Sequence, residues 1–220
     1  MPNVASVHIA TDHSEIADAA HGFGADVLMT SAGCRNGTER CAEAVERLAD
    51  SPDIIINLQG DAPLTPPHFI SALIDAMTAD SAIEVATPAL AVNRAHYAGL
   101  KADEAAGRVG GTSVVTTSAG RALYFSKRLI PYFTDQEEEP TPLRLHVGVY
   151  AYTPSALHDY RAAAVSQLEQ LEGLEQLRFL ELGVAVQVVA VAPPEWEIWE
   201  LNNPSDVGPI ERALAVMGRA

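Results

Sequence analysis

Asp53-Ile54-Ile55-Ile56-Asn57-Leu58-Gln59-Gly60-Asp61-Ala62-Pro63 is the stretch on which the architecture turns. Its first half is a near-continuous apolar run, the pattern of a parallel strand covered on both faces. The run stops on an amide, a glycine and a carboxylate. Pro63, Pro66 and Pro67 then open a helix over about His68 to Thr78. In open α/β sheets ligands sit outside the carboxyl ends of the strands, so this edge is where chemistry is expected.

The same alternation runs outward in both directions. Upstream, Ser6 to Asp12 reads as a short strand ending in Thr11-Asp12, and Ser14 is placed to cap a helix that carries Ile16, Ala19 and Ala20 on one face. That helix is expected to stop at Gly22 or Gly24, ahead of a strand over Ala25 to Met29. Asn36-Gly37-Thr38 is a turn feeding a helix from about Glu39 to Ala49. Downstream, Ile83 to Ala91 is strand-like, and the polar stretch from Arg94 to Gly111 has no clear period. Ser113 to Thr117 and Ala122 to Phe125 read as two strands across a Ser118-Ala119-Gly120 turn. Gln136 to Pro140 is an acidic exposed loop, and His146 to Tyr152 is a strand. Leu157 to Ala164 and Glu169 to Leu182 are helical, Ala185 to Val191 is a strand, and Asn203 to Met217 holds a last helix. Strands alternating with helices imply an α/β layer fold with a mostly parallel sheet, to which the hairpin-like middle adds an antiparallel lobe for sugar binding or dimerisation. No linker divides the 220 residues, which are expected to form a single domain.

Composition narrows the partners. Hydrophobic residues make up 48% of the chain, enough for a packed core, and the net charge of −15 argues against nucleic acid and against an anionic membrane surface. Two cysteines, Cys34 and Cys41, make neither a disulfide framework nor a zinc signature. No apolar run reaches the length of a bilayer span, and no signal-peptide core precedes the first strand, so a cytoplasmic protein is expected.

Four segments carry candidate chemistry. Asp61 at the strand end is suited either to a hard cation such as Mg2+ or to a plain turn ahead of a proline. Cys34 to Arg40 is a glycine-containing turn entering a helix between two arginines. It reads as a site for a phosphate or a base carbonyl, or as an ordinary capping turn. In Leu171-Glu172-Gly173-Leu174-Glu175-Gln176-Leu177-Arg178, the leucines at 171 and 174 are expected to face the core. Glu172, Glu175 and Gln176 then either meet sugar hydroxyls or stay solvated. His146, Gly148 and Tyr150 share one strand face, where a histidine and a tyrosine suit an acid or simply fill half-buried core positions.

In this order the segments resemble the CMP-Kdo synthetases, the 3-deoxy-manno-octulosonate cytidylyltransferases. The matches are Ile9 to Asp12, Asn36 to Glu43, Asn57 to Pro63, Ala122 to Ser126, His146 to Tyr152, Leu171 to Arg178 and Asn203 to Val207. The resemblance implies a Rossmann-like nucleotidyltransferase sheet, usually a homodimer. The implied reaction joins CMP from CTP to Kdo with release of pyrophosphate, for lipopolysaccharide assembly. It implies that Asp61 binds Mg2+ and, with Gln59, serves catalysis; that Asn36, Gly37, Thr38 and Arg40 line the cytidine pocket; and that Gln59, His146, Tyr150, Glu175 and Gln176 contact the sugar acid.

Three departures qualify that expectation. The family's second metal carboxylate, in an Asp-Thr-Pro motif, reads Asn202-Asn203-Pro204 here, so Asn202 would offer Mg2+ an amide oxygen, a weaker ligand for a hard cation. The Gln-Gly-Asp-Glu-Pro motif carries Ala62 in place of its Glu. The family's first strand and the loop that wraps the triphosphate have no counterpart, so the chain is expected to lack that segment and to leave a sheet edge unpaired. The alternatives are a cytidylyltransferase for another acidic acceptor, or an inactive homologue that only binds or dimerises.

Overall fold

The computed structural model describes residues 4–134, 139–196, 201 and 203–217. The expected strands and helices are present in order, with β1 at His8–Thr11, α1 at Ser14–Gly22, β2 at Asp26–Met29, α2 at Gly37–Val45, β3 at Ile55–Leu58 and α3 at Pro67–Ala79. They continue as β4 at Val85–Ala91, α4 at Arg94–Ala105, β5 at Ser113–Thr116, β6 at Ala122–Ser126, β7 at Arg144–His146 and β8 at Val149–Tyr152. The chain closes with α5 at Pro154–Ala162, α6 at Gln167–Glu172, α7 at Leu177–Glu181, β9 at Val186–Val191 and α8 at Val207–Val216.

The sheet corrects the expected direction of its strands. Among the described residues, parallel pairs are confined to β1 with β2 and β4 with β9, and every other pair is antiparallel. The helix α3 does carry the chain from β3 to β4, as a crossover should. Those strands are not neighbours, however, because β8 lies between them and runs against both. Alternation along the sequence reads each crossover as adjacency and is blind to a later strand that slots in between. Among the described residues β1 pairs only with β2 and β3 only with β8, while α2 packs on both.

β4 is the axis of the core. Val85, Ala86, Thr87 and Ala89 are buried, with β9 along one edge and β8 then β7 in succession along the other. Pro88 cannot donate to a ladder, and it falls in the break between β8 and β7, where its carbonyl accepts from Val147 N at 3.1 Å. At the far end the sheet curls back on itself. Arg121 bridges Gln187, and Val188 N donates to the Gly120 carbonyl at 2.8 Å. β3 is less covered than its apolar run suggests, with Leu58 exposed at its end.

Five local expectations change. The strand expected over His146 to Tyr152 is broken at Val147-Gly148 into β7 and β8. Ser14 begins α1 but does not cap it; the cap is His13, without a side-chain bond. The polar stretch after Arg94 is a helix capped by Asn93, whose side chain accepts from His96 N. The helix expected over Glu169 to Leu182 is two short ones. Gly173 ends α6 at φ +63°, a conformation favourable only to glycine. Leu171, expected in the core, is 74% exposed, whereas Leu174 is buried. Of the acidic loop expected over Gln136 to Pro140, Gln136 to Glu138 lie outside the described residues.

Candidate active site

The turn before α2 is built from its own polar groups. Asn36 is extended at φ −153° and caps the helix, its Oδ1 accepting from Glu39 N at 2.9 Å. Its Nδ2 donates down into the protein, to Tyr160 Oη at 2.9 Å and Glu169 Oε1 at 3.2 Å. Arg35 folds over Glu39, donating from its backbone N and its Nε to Glu39 Oε2 at 2.8 and 3.1 Å. A Cβ on Gly37 would stand 3.1 Å from both Asn57 Nδ2 and Gln59 Nε2, so a side chain here would press on both amides where α2 meets β3.

Two residues expected in the cytidine pocket turn elsewhere. Thr38 is fully buried, its hydroxyl 2.8 Å from Tyr152 Oη and its backbone N donating to Glu175 Oε2 at 2.8 Å. Arg40 pairs with Asp12 at 3.0 Å and donates to Thr30 Oγ1 at 2.6 Å, tying α2 to the first strands.

The opposite side comes from β3, β7, β8 and the α6–α7 connection. Glu175 accepts from Gln59 Nε2 at 2.7 Å on one oxygen and from Thr38 N on the other. Desolvation outweighs these donors and raises its pKa above the ordinary carboxylate value. Tyr150 Oη donates to Gln176 Oε1 at 3.2 Å, while Gln176 Nε2 is buried with no protein partner among the described residues. Asn57 Nδ2 is in the same state. Buried donors without partners are rare, and one beside a cleft is placed for a ligand or a water.

His146 is neutral. Desolvation depresses its pKa to about 3. Thr87 Oγ1 lies 2.8 Å from His146 Nε2 and also 2.8 Å from the Val149 carbonyl. The carbonyl can only accept, so Thr87 spends its proton there and accepts from Nε2–H, leaving Nδ1 as an acceptor. His146 is therefore suited to a hydroxyl of a ligand rather than to its carboxylate.

These two sides enclose one cleft of about 1690 Å3, lined by Asn36, Gly37, Gln59, His146, Tyr150, Glu175 and Gln176. Ordinary small-molecule pockets hold about 300–1,000 Å3, so this one has room for two ligands side by side. Seven of the sequence-chosen residues thus meet. Asp61 is exposed and does not line the cleft, although its carbonyl accepts from Leu201 N at 2.6 Å and so brings residue 201 against it. Asn202 lies outside the described residues. Arg35, one of the two arginines read as flanking the turn, also lines the cleft, and so does Lys127, which sequence reasoning missed. Lys127 directly follows the Ala122 to Ser126 segment, and Glu172 fixes that end of β6 by accepting from Ser126 Oγ at 2.8 Å and Lys127 N at 3.0 Å. Among the described residues no three His, Cys, Asp or Glu side chains gather as a metal cage.

Known proteins give the cleft a context. The cytidylyltransferase family model matches residues 1–186. The 3-deoxy-manno-octulosonate cytidylyltransferase of Maricaulis maris is 40% identical over 99% of this chain and 84% of its own length. The mitochondrial 3-deoxy-manno-octulosonate cytidylyltransferase of Arabidopsis thaliana is 37% identical over 94% of this chain and 67% of its own length. The solved structure of a CMP:2-keto-3-deoxy-manno-octonic acid synthetase complexed with CTP superposes with a TM-score of 0.82 at 31% identity, covering 99% of this chain and 83% of the other.

Proposed function

The chain belongs to the cytidylyltransferase family, and on that footing we propose that it transfers CMP from CTP to 3-deoxy-manno-octulosonate, releasing pyrophosphate. The anomeric hydroxyl of the sugar acid attacks the α-phosphorus. A new P–O bond forms, the α–β phosphoanhydride bond breaks, and the hydroxyl proton passes to water. Such a transfer needs alignment and charge neutralisation more than a strong base.

The single observation that carries this reading is the shared cleft, with Asn36 and Gly37 on one wall and Gln59, His146, Tyr150, Glu175 and Gln176 on the other. In the turn before α2, Thr38 N and Glu39 N are taken by Glu175 and Asn36, which leaves the Gly37 N–H to meet the nucleotide. On the facing wall, His146 Nδ1 and Glu175 accept from sugar hydroxyls, and the unpartnered Gln176 Nε2 donates to a sugar oxygen. Arg35 and Lys127 supply positive charge for the anionic groups of either substrate.

Mg2+ fits in part. It favours one or two carboxylates, with phosphate oxygens and waters completing its shell, and Asp61 beside residue 201 offers one carboxylate at the strand end. Asp61 would hold the ion with Asn202 as a neutral companion, and the ion would neutralise charge on the phosphates. The remaining parts of the reading are a homodimer in the cytoplasm that supplies lipopolysaccharide assembly. No helix of the described residues is long and apolar enough to cross a membrane.

The test is pyrophosphate release with CTP, the sugar acid and Mg2+, run beside ATP, GTP and UTP and beside other acidic sugars. Release only with CTP and this acid is expected; equal release with another nucleotide would refute the assignment.

A further inference from the structure

Below the floor of the cleft, one buried hydroxyl touches both walls. Tyr160, on α5, is fully buried. Its Oη accepts from Asn36 Nδ2 at 2.9 Å, and its proton can reach the Glu175 carbonyl at 3.2 Å or Glu169 Oε1 at 3.4 Å. Asn36 belongs to the nucleotide wall, and Glu175 begins the segment that carries Gln176 on the sugar wall. The ring is clamped. Arg178 Cζ lies 3.9 Å from its centroid, and Arg178 Nη1 donates to the Tyr160 carbonyl at 3.2 Å. Arg178 Nε and Nη2 each donate to Glu169 at 2.6 Å, and Nη1 donates to Glu39 at 3.0 Å. Desolvation drives the phenol's pKa far above its ordinary value, so the proton that makes the bridge stays in place.

We infer that Tyr160 is a positioning residue that couples the two substrates: its hydroxyl joins the nucleotide wall at Asn36 to the sugar wall at Glu175, so that CTP binding orders the sugar wall and the sugar acid tightens the nucleotide wall. This rests on the function proposed above. The coupling is reciprocal, because one shared bond cannot favour one ligand without favouring the other. A ligand that fixes Asn36 also fixes the hydroxyl, and the second ligand then has less to order.

Tyr160→Phe removes one oxygen and keeps the ring, its packing and the overlying guanidinium. The measurement is a matrix of initial rates over CTP and 3-deoxy-manno-octulosonate. In the wild type the CTP half-saturation concentration should fall as the sugar acid rises. In Tyr160→Phe that fall shrinks by about fivefold, the low end of ordinary coupling energies, while kcat stays within about twofold. A folded variant whose mutual dependence is unchanged would overturn the inference, and a loss of thermal stability alone would mark a structural role. Amide hydrogen exchange on the wild type removes any dependence on the variant folding. CTP alone should slow exchange at residues 174–178 as well as at 36–43. Slowing confined to 36–43 overturns the coupling and leaves the proposed function intact. Slowing nowhere, together with no pyrophosphate release, removes the nucleotide reading itself and the coupling with it.

Discussion

A single methyl group at Gly37 probes the junction of the nucleotide wall and β3. The added carbon would press two side-chain amides at 3.1 Å each, and one of them, on Gln59, is already committed to Glu175. Overpacking of this kind costs about 1–3 kcal/mol. Gly37→Ala should therefore raise the CTP KM by about tenfold with a smaller change in the sugar KM, read from initial rates. Gln176→Met tests the other wall. It deletes a buried donor that has no partner among the described residues, and a neutral hydrogen bond contributes about 0.5–1.5 kcal/mol. The KM for the sugar acid should rise about three- to tenfold, and the urea midpoint should fall modestly because Tyr150 Oη also loses its bond to Gln176 Oε1. The sequence motifs named seven residues that do meet in the cleft. They could not show that Thr38 and Arg40 face away from it, because helix entry fixes which positions cluster but not which hydrogen bonds they make. Arg178 was quoted only as the end of a motif, and its role below the cleft depends on Glu39, far away in the chain.

At the scale of elements, glycines decide what periodicity cannot. A run from Glu169 to Leu182 has helical spacing throughout, yet Gly173 in the left-handed region turns the chain and puts Glu175 and Gln176 at the cleft. Leu171 is exposed for the same reason, since its face was inferred from a helix that does not continue. Gly120 does comparable work in the β5–β6 turn. At φ +78° it lies so close to β9 that a Cβ would stand 2.5 Å from Gln187 Nε2 and 3.3 Å from the Val188 carbonyl. Gly120→Ala should destabilise the chain by about 1–3 kcal/mol, seen as a lower urea midpoint with substrate KM values unchanged. Strands were legible from β-rich runs, whereas their partners were not. The place of β8 between β3 and β4 is set by non-local packing, which no local pattern encodes.

For the whole molecule, the buried charges under the cleft set the response to acid. Desolvation alone would raise the pKa of Glu39, but hydrogen bonds from Arg35 and Arg178 outweigh it and lower the value to about 2. An unfolded glutamate titrates near about 4.3. The folded state therefore binds its proton later than the unfolded state. Its stabilisation is fully present above that value and is lost as pH falls toward 2. Thermal midpoints between pH 7 and 2 should drop through this window, and Glu39→Gln should flatten the drop. Arg178→Met would leave Glu169 buried without its cation and Glu39 with Arg35 alone, and breaking a buried pair in this way typically costs about 3–5 kcal/mol and should lower the urea midpoint accordingly. The net charge of −15 argued against polyanion partners without revealing this inner cation, since Arg178 contributes nothing to the surface.

The central claim is that one cleft joins a cytidine nucleotide to a sugar acid. The most direct test is pyrophosphate release by the folded chain given CTP, 3-deoxy-manno-octulosonate and Mg2+, with the nucleotide–sugar product identified by mass. The account predicts release that requires both substrates and yields the CMP conjugate in equal amount. Pyrophosphate release that does not depend on the sugar acid, or none at all from a folded chain, would contradict it.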